Sequence, residues 1–456
     1  MIIWRRRASR QVTALVVEAT AIVLAMLILA PQPAQALPSY ARQTGQPCGA
    51  CHTDFPALTP FGRRFKLFGY TTGGGAYRTT IFPSSSDWSD EKPWVPPISI
   101  MGIEGYTHQA SSQPSNNTQF SPFSIFWGGA ITDHIGAFAQ VTDSVPAWSW
   151  DNTDVRYANQ TNVGGVDVAY GITANNNPTV QDVWNTTPAW TFPYAVSALA
   201  GTPAAATIID GTLAAQVVSV GAYAYVDDLI YLEASAYRTL DLGQQTALGT
   251  CCSPGLFQGL APYWRAAIEP HWGRNWWELG TFGMISNIHP FTGAGSATFP
   301  QTDEYVDYGF DSQYQYQGDN YWLTLRGSYI HENQTLNASF ANSISANPKD
   351  DLNTLRAQAS FTYGADNRIS LTGQHFNTWG SSDGGLYSGL ASGNSPNSDG
   401  WIAEIAYLPF MASPSPIWPW FNARIGLQYI WYNKFDGTTA GAAANDTLFA
   451  YVWFAM

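Results

Sequence analysis

From about residue 98 onward the chain repeats one pattern: about ten residues in which apolar and polar side chains alternate, then a cluster of Gly, Asn, Asp, Ser or Pro. Alternation with period two marks a strand whose two faces meet different surroundings, and the clusters are turn signals. Strands are predicted near 98–107, 121–132, 135–144, 152–159, 165–174, 216–226, 229–240 and 260–271. They continue near 276–288, 304–317, 320–336, 353–363, 368–379, 399–410, 420–434 and 445–455, sixteen in all. The connections alternate too. Asp133-His134, Thr161-Asn162, Asp227-Asp228, Gly273-Arg274-Asn275, Gly318-Asp319 and Gly364-Ala365-Asp366-Asn367 are short, whereas 108–120, 175–215, 241–259, 289–303, 337–352 and 380–398 are long. Only the Pro-rich connection 411–419 is longer than its side predicts.

Short turns on one rim and long loops on the other are the habit of outer-membrane barrels, with the short rim in the periplasm. The predicted fold class is therefore all-β: an antiparallel outer-membrane β-barrel of about sixteen strands over 98–456. An even strand count puts both barrel ends at the periplasmic rim. The last segment, Leu448 to Met456, is an alternating aromatic strand of the kind that terminates such barrels, with Phe454 two residues before the final Met456. A soluble sandwich or solenoid is the alternative, and the loop asymmetry weighs against it.

Composition points the same way. The chain is 45% hydrophobic and 14% aromatic but only 12% charged, against about 25% charged in soluble proteins. Residues 1–36 read as a secretory signal peptide: Arg5, Arg6, Arg7 and Arg10, an apolar run from Val12 to Ala30, then Ala34-Gln35-Ala36 with cleavage after Ala36. An uncleaved anchor is the other reading of the apolar run. Without the leader, 16 basic residues face 32 acidic ones, a balance that argues against nucleic acid as a partner. No later run is long and apolar enough for a spanning helix, which leaves the closed barrel as the route through lipid.

Between leader and barrel lie a compact head, 37–75, and a Ser/Pro/Gly-rich linker, 76–97. The head carries Cys48-Gly49-Ala50-Cys51-His52, a C-x-x-C-H sequence. Two thiols at this spacing can form thioethers to one macrocycle, and the adjacent imidazole of His52 can then ligate its iron. A zinc site would need further ligands nearby, and none of the other His or Cys falls within fifty residues. A redox dithiol would sit in βαβ alternation, which is absent. One motif predicts one covalently bound haem c.

Arg42, Arg63, Arg64 and Lys66 crowd the head and are candidates for the haem carboxylates; Phe55, Phe61, Phe65 and Phe68 are candidates for its apolar wall. No Met or His follows His52 before Met101. The sixth iron ligand is therefore unassigned, with Met101 the first candidate, His134 and His271 others, and an open position an alternative.

The run Ala41-Arg42-Gln43-Thr44-Gly45-Gln46-Pro47-Cys48-Gly49-Ala50-Cys51-His52, continuing through Thr53-Asp54-Phe55-Pro56-Ala57-Leu58-Thr59-Pro60-Phe61-Gly62-Arg63-Arg64-Phe65-Lys66-Leu67-Phe68-Gly69-Tyr70, resembles the head of the fused monohaem cytochrome–porins. That family includes outer-membrane Fe(II)-oxidising cytochromes of iron-oxidising bacteria. Asn175 to Asp182 and Tyr263-Trp264-Arg265 are also family-like. The resemblance implies electron transfer between an extracellular donor, such as Fe(II), and a periplasmic carrier, a cytochrome or copper protein. The head would then plug the lumen, and with Fe(II) as donor the activity would be an Fe(II):cytochrome oxidoreductase. The competing function is a diffusion porin whose haem head gates, senses or plugs.

Two further groups stand out. Cys251 and Cys252 are adjacent in a predicted outer loop, and a local disulfide is expected. Asp303, Glu304, Asp307 and Asp311 offer hard oxygens to a ferrous ion, or Asp307 and Asp311 simply face a polar lumen. The loop 175–215 is expected to form a substrate vestibule or a surface cap.

Overall fold

The computed structural model describes residues 37–82, 92–110, 116–143, 147–250, 254–292, 298–364, 368–390, 394–412 and 417–456. The leader and Cys251-Cys252 lie outside them. Among the described residues the sixteen long strands are β1 (Ile98–Gln109), β2 (Asn116–Ala130), β3 (Ile135–Asp143), β4 (Trp148–Val163), β5 (Val166–Asn175), β6 (Val217–Val226), β7 (Ile230–Thr239) and β8 (Ala261–Ile268). Then follow β9 (Asn275–Pro290), β10 (Asp303–Gln317), β11 (Tyr321–Thr335), β12 (Lys349–Tyr363), β13 (Ile369–Gly380), β14 (Ser398–Tyr407), β15 (Asn422–Lys434) and β16 (Thr447–Ala455). The short pieces Gly255–Phe257 and His271–Trp272 extend the same sheet.

Each strand pairs antiparallel with its neighbours in sequence, and β1 pairs with both β2 and β16. The ring is closed. Ile100 and Met456 exchange backbone hydrogen bonds of 2.6 Å at the seam, so both ends of the barrel lie at one rim, the rim of the short turns. Every expected strand is present. One turn is displaced: the β4–β5 hairpin bends at Gly164-Gly165 rather than Thr161-Asn162, because both turn positions have φ > 0 (64° and 92°) and glycine takes them without strain.

Polarity is inverted relative to a soluble protein. Along β15, Ile425, Leu427 and Tyr429 point outward and are 42–47% exposed, while Arg424 and Gln428 point inward and are buried. That alternation gives a lipid-facing apolar wall around a polar interior. The fold is a closed, sixteen-stranded antiparallel β-barrel with an apolar outer face.

Two segments pack against the inner face. Three short helices, α1 (Pro38–Thr44), α2 (Cys48–Cys51) and α3 (Pro60–Leu67), build the head. The connection 176–216 is the other, and it overturns the expected surface cap: residues 176–187 are all buried. Local chemistry folds this segment in. The Asp182 carboxylate accepts from the backbone N–H of Trp184 (3.0 Å), Thr186 (3.0 Å) and Thr187 (3.2 Å), and Asn176 Oδ1 takes the Thr153 N–H at 2.6 Å.

Substituting Leu427→Arg should lower stability by about 2–4 kcal/mol if the residue sits near the bilayer midplane, read from urea unfolding in lipid vesicles; an unchanged midpoint would put Leu427 off the lipid wall. Protease applied outside the cell should cut within 381–397 or 336–348 before 176–187.

Candidate functional site

The site is built on α2 and the loop that follows it. Pro47 precedes the single turn Cys48–Cys51, and the His52 N–H closes it on the Cys48 carbonyl at 2.9 Å. A tight return, Thr53 N–H to Ala57 O at 3.0 Å and Ala57 N–H to Asp54 O at 2.6 Å, brings the Pro56 carbonyl to 3.1 Å from His52 Nδ1. A carbonyl only accepts, so Nδ1 carries the proton and the Nε2 lone pair is the ring's coordinating position. Thr59 caps α3 by accepting the Gly62 N–H at 3.1 Å. A Cβ on Gly62 would come within 2.3 Å of the Cys51 carbonyl, so this glycine sets how closely α3 packs on α2.

Cys48 is buried, and Cys51 and His52 are half-buried. Burial pushes both thiols up to about 12 and the His52 imidazole down to about 4, so both sulfurs are protonated and the ring is neutral near pH 7. Two thiols and a neutral imidazole on one turn are a donor set that could hold an iron macrocycle.

Of the four phenylalanines named from sequence, Phe55 lies against the His52 ring, with centroids 4.9 Å apart, and reaches Trp453 of β16 at 5.0 Å. Phe65 instead packs on Tyr40 and Tyr70, Phe68 on the cluster around Trp184 and Tyr231, and Phe61 is exposed. The candidate cationic partners for haem carboxylates each meet a different protein group. Arg63 pairs with Glu269 and donates to Gln315 at 2.6 Å, and Arg64 pairs with Asp228 at an exposed turn. Lys66 donates to the carbonyls of Val180 (2.6 Å) and Asp182 (2.8 Å), and Arg42 donates to the Ile98 carbonyl at 2.8 Å and covers Trp420. The three buried ones, Arg42, Arg63 and Lys66, are each bonded within the protein, because a buried cation is costly unless paired or hydrogen-bonded.

Sequence reasoning missed the pair that joins the site to the wall. Arg424 of β15 pairs with Asp54 and Glu404 and donates to the Phe55 carbonyl at 2.8 Å and to the Tyr451 hydroxyl oxygen at 2.9 Å. Asp54 and Arg424 are 370 positions apart, and no local pattern links them. A second junction runs through Glu269, which accepts from Arg63 of α3 and from Trp184 Nε1 at 2.9 Å; Asn185 Oδ1 takes the Leu58 N–H at 3.1 Å. Head and inward connection thus touch each other as well as the wall. Tyr70 completes the set, donating to Asp154 of β4 at 2.6 Å.

The candidate sixth ligands separate. His134 and His271 sit exposed at turns, His134 facing the Ala158 carbonyl at 3.3 Å. Met101 is buried in a cluster with Ile103, Trp453 and Phe55. The acidic run divides as well: Asp303 receives the N–H groups of Ala338 and Ser339, Glu304 is exposed, Asp307 accepts the Ile209 N–H at 2.8 Å, and Asp311 binds Arg265 at 2.7 Å. Asp307 and Asp311 are buried inward residues, as a polar lumen requires. Among the described residues no group of three or more His, Cys, Asp or Glu is placed to hold a metal ion.

Neither a protein-family model nor a curated protein matches the sequence. Among solved structures the chain is similar to OprB of Pseudomonas putida at high pH, with TM-score 0.48 and 12% identity over 78% of this chain and 92% of that one. It is also similar to Salmonella typhi OmpF in complex with daunomycin, with TM-score 0.43 and 10% identity over 79% and 97% of the two chains. An anion-selective porin from Comamonas acidovorans gives TM-score 0.43 and 9% identity over 78% and 98%.

Arg424→Met should cost about 3–5 kcal/mol, since it strands two buried carboxylates. Asp54→Asn combined with it should recover part of that loss; a double-mutant cycle in urea with no coupling would show that the pair does not join site and wall.

Proposed function

We propose that this chain is an outer-membrane c-type cytochrome that moves electrons between an extracellular donor, such as Fe(II), and a periplasmic carrier, with one haem held by the head inside the barrel. The observation that carries the reading is the His52 Nδ1 contact to the Pro56 carbonyl beside two thiols on the same turn. A ligating histidine characteristically gives its other N–H to a carbonyl or carboxylate, which fixes the tautomer. The residues present fit the group: Cys48 and Cys51 for the thioethers, His52 Nε2 for the iron, and Phe55, Leu408 and Met411 as apolar surroundings. A haem c bound there would supply a one-electron carrier. Around it Pro56 orients the imidazole, Arg424 neutralises Asp54, and Phe55 excludes water from the ring.

The head serves as a lumenal plug in this reading. Support comes from the contacts of Asp54, Arg63 and Tyr70 with the inward-facing Arg424, Gln315 and Asp154. The resemblance of residues 41–70 to fused monohaem cytochrome–porins agrees with it. Secretion through a leader at residues 1–36, with cleavage after Ala36, is part of the same proposal.

A channel is the second reading, and the barrel itself favours it: sixteen-stranded barrels enclose aqueous pores, and one of the similar solved structures is an anion-selective porin. On the fold alone the channel stands ahead; the redox reading rests on the head. Under the redox reading Cys48→Ala or Cys51→Ala abolishes or halves covalent attachment, and haem-stained denaturing gels with undiminished signal would contradict it. In planar bilayers the whole protein should conduct poorly, and removal of residues 37–75 should open a larger conductance. Equal conductance with and without the head would make the channel the better reading.

A further inference from the structure

We propose that Met411 supplies the sixth ligand to the haem iron, an assignment that rests on the haem reading above. Met411 lies in the connection between β14 and β15, the one Pro-rich link on the short-turn rim that is too long for its side. Its length is used on the head. The Gly49 N–H of α2 donates to the Met411 carbonyl at 3.0 Å. Further along, Trp420 stacks under the Arg42 guanidinium at 4.7 Å and meets Tyr77 at 5.1 Å. The connection is therefore latched to the head at Met411 and again at Trp420.

The Met411 side chain is wholly buried in a cluster with Cys48, Ala406 and Leu408, with Phe55 packed against it. Its sulfur sits 3.3 Å from Asn422 Nδ2, and the same Asn422 side chain hydrogen-bonds Cys48. One amide thus holds the thioether of Met411 beside the sulfur that would anchor the macrocycle. A group tethered at Cys48 brings its iron into the neighbourhood of this cluster, and a thioether opposite an imidazole is an established axial pair for c-type haem that raises its potential.

The remaining candidates are placed elsewhere. Met284 belongs to the cluster around Ile208 and Tyr263, and Met456 is exposed at the rim. Met101 touches the Phe55 neighbourhood through Trp453 and Ile103, not the Cys48 cluster. Of the histidines, His331 is bonded to Asn353 at 2.7 Å and His375 packs on Trp401, while His134 and His271 are exposed at turns.

The test uses the purified, haem-loaded full-length protein and its Met411→Ala, Met411→His and Met101→Leu variants. Covalent haem is scored on denaturing gels, and ligation by the weak near-infrared absorption that a thioether gives ferric haem, by electron paramagnetic resonance, and by redox titration. The assignment predicts that the wild type and Met101→Leu show the thioether band. Met411→Ala should lose it, become high-spin, bind added imidazole at least about tenfold more tightly, and titrate at a lower potential. Met411→His should give a bis-imidazole spectrum. A band that survives in Met411→Ala, or is lost in Met101→Leu, with haem still covalently bound overturns Met411 and leaves the haem reading standing. A wild type without covalent haem overturns both.

Discussion

A backbone amide inside the bilayer has no water to bond, and the closed ring from β1 through β16 is the constraint around which everything else is arranged. Closure at the β1–β16 seam removes the last open edge. Once the wall is closed, its alternation decides the rest: apolar residues go to lipid, and polar ones such as Arg424, Gln428, Arg265 and Asp311 are committed to the inside. Buried charges left without partners would cost several kcal/mol each, so the interior must be supplied with complementary groups. The head supplies Asp54 and Arg63, and the connection 176–216 supplies Asp182 and Trp184. The ion pairs Arg424–Asp54, Arg63–Glu269 and Arg265–Asp182 are where wall, head and inward connection become one structure.

Much of this was legible in the sequence. The sixteen strands, their order, the rim asymmetry and the C-x-x-C-H turn are local patterns, and period-two alternation reports them directly. The fate of residues 176–187 was not legible, since Asn, Asp and Thr read equally well as a solvated loop; only the closed polar wall around them makes Asp182 curl its own segment and face Arg265. Arg424, Asp54 and Met411 escaped for a related reason. The contacts that matter, Asp54 with Arg424 and Gly49 with Met411, join positions hundreds of residues apart. The cationic cluster of the head was read as one site, yet Arg42, Arg63, Arg64 and Lys66 lie on different helix faces and each meets a different part of the barrel.

The site's chemistry follows from the same economy of partners. Pro56 gives its carbonyl to His52 and fixes the tautomer; Arg424 takes the Asp54 charge and the Phe55 carbonyl, which holds that return in place; Thr59 and Gly62 set α3 against α2. A turn this constrained is suited to presenting two sulfurs and one nitrogen to a single rigid group. The connection between β14 and β15, longer than the other links on its rim, meets that turn through the Met411 carbonyl and side chain.

The central claim is that one haem inside the barrel is reachable by electrons from both faces of the membrane. Reconstitution into vesicles with a single orientation, followed by addition of a membrane-impermeant reductant first outside and then inside, tests it most directly through the reduced haem bands. The account predicts reduction from either side, at rates that fall when the donor is withheld from both. Reduction from the short-turn rim alone, with no response from the long-loop side, would contradict it.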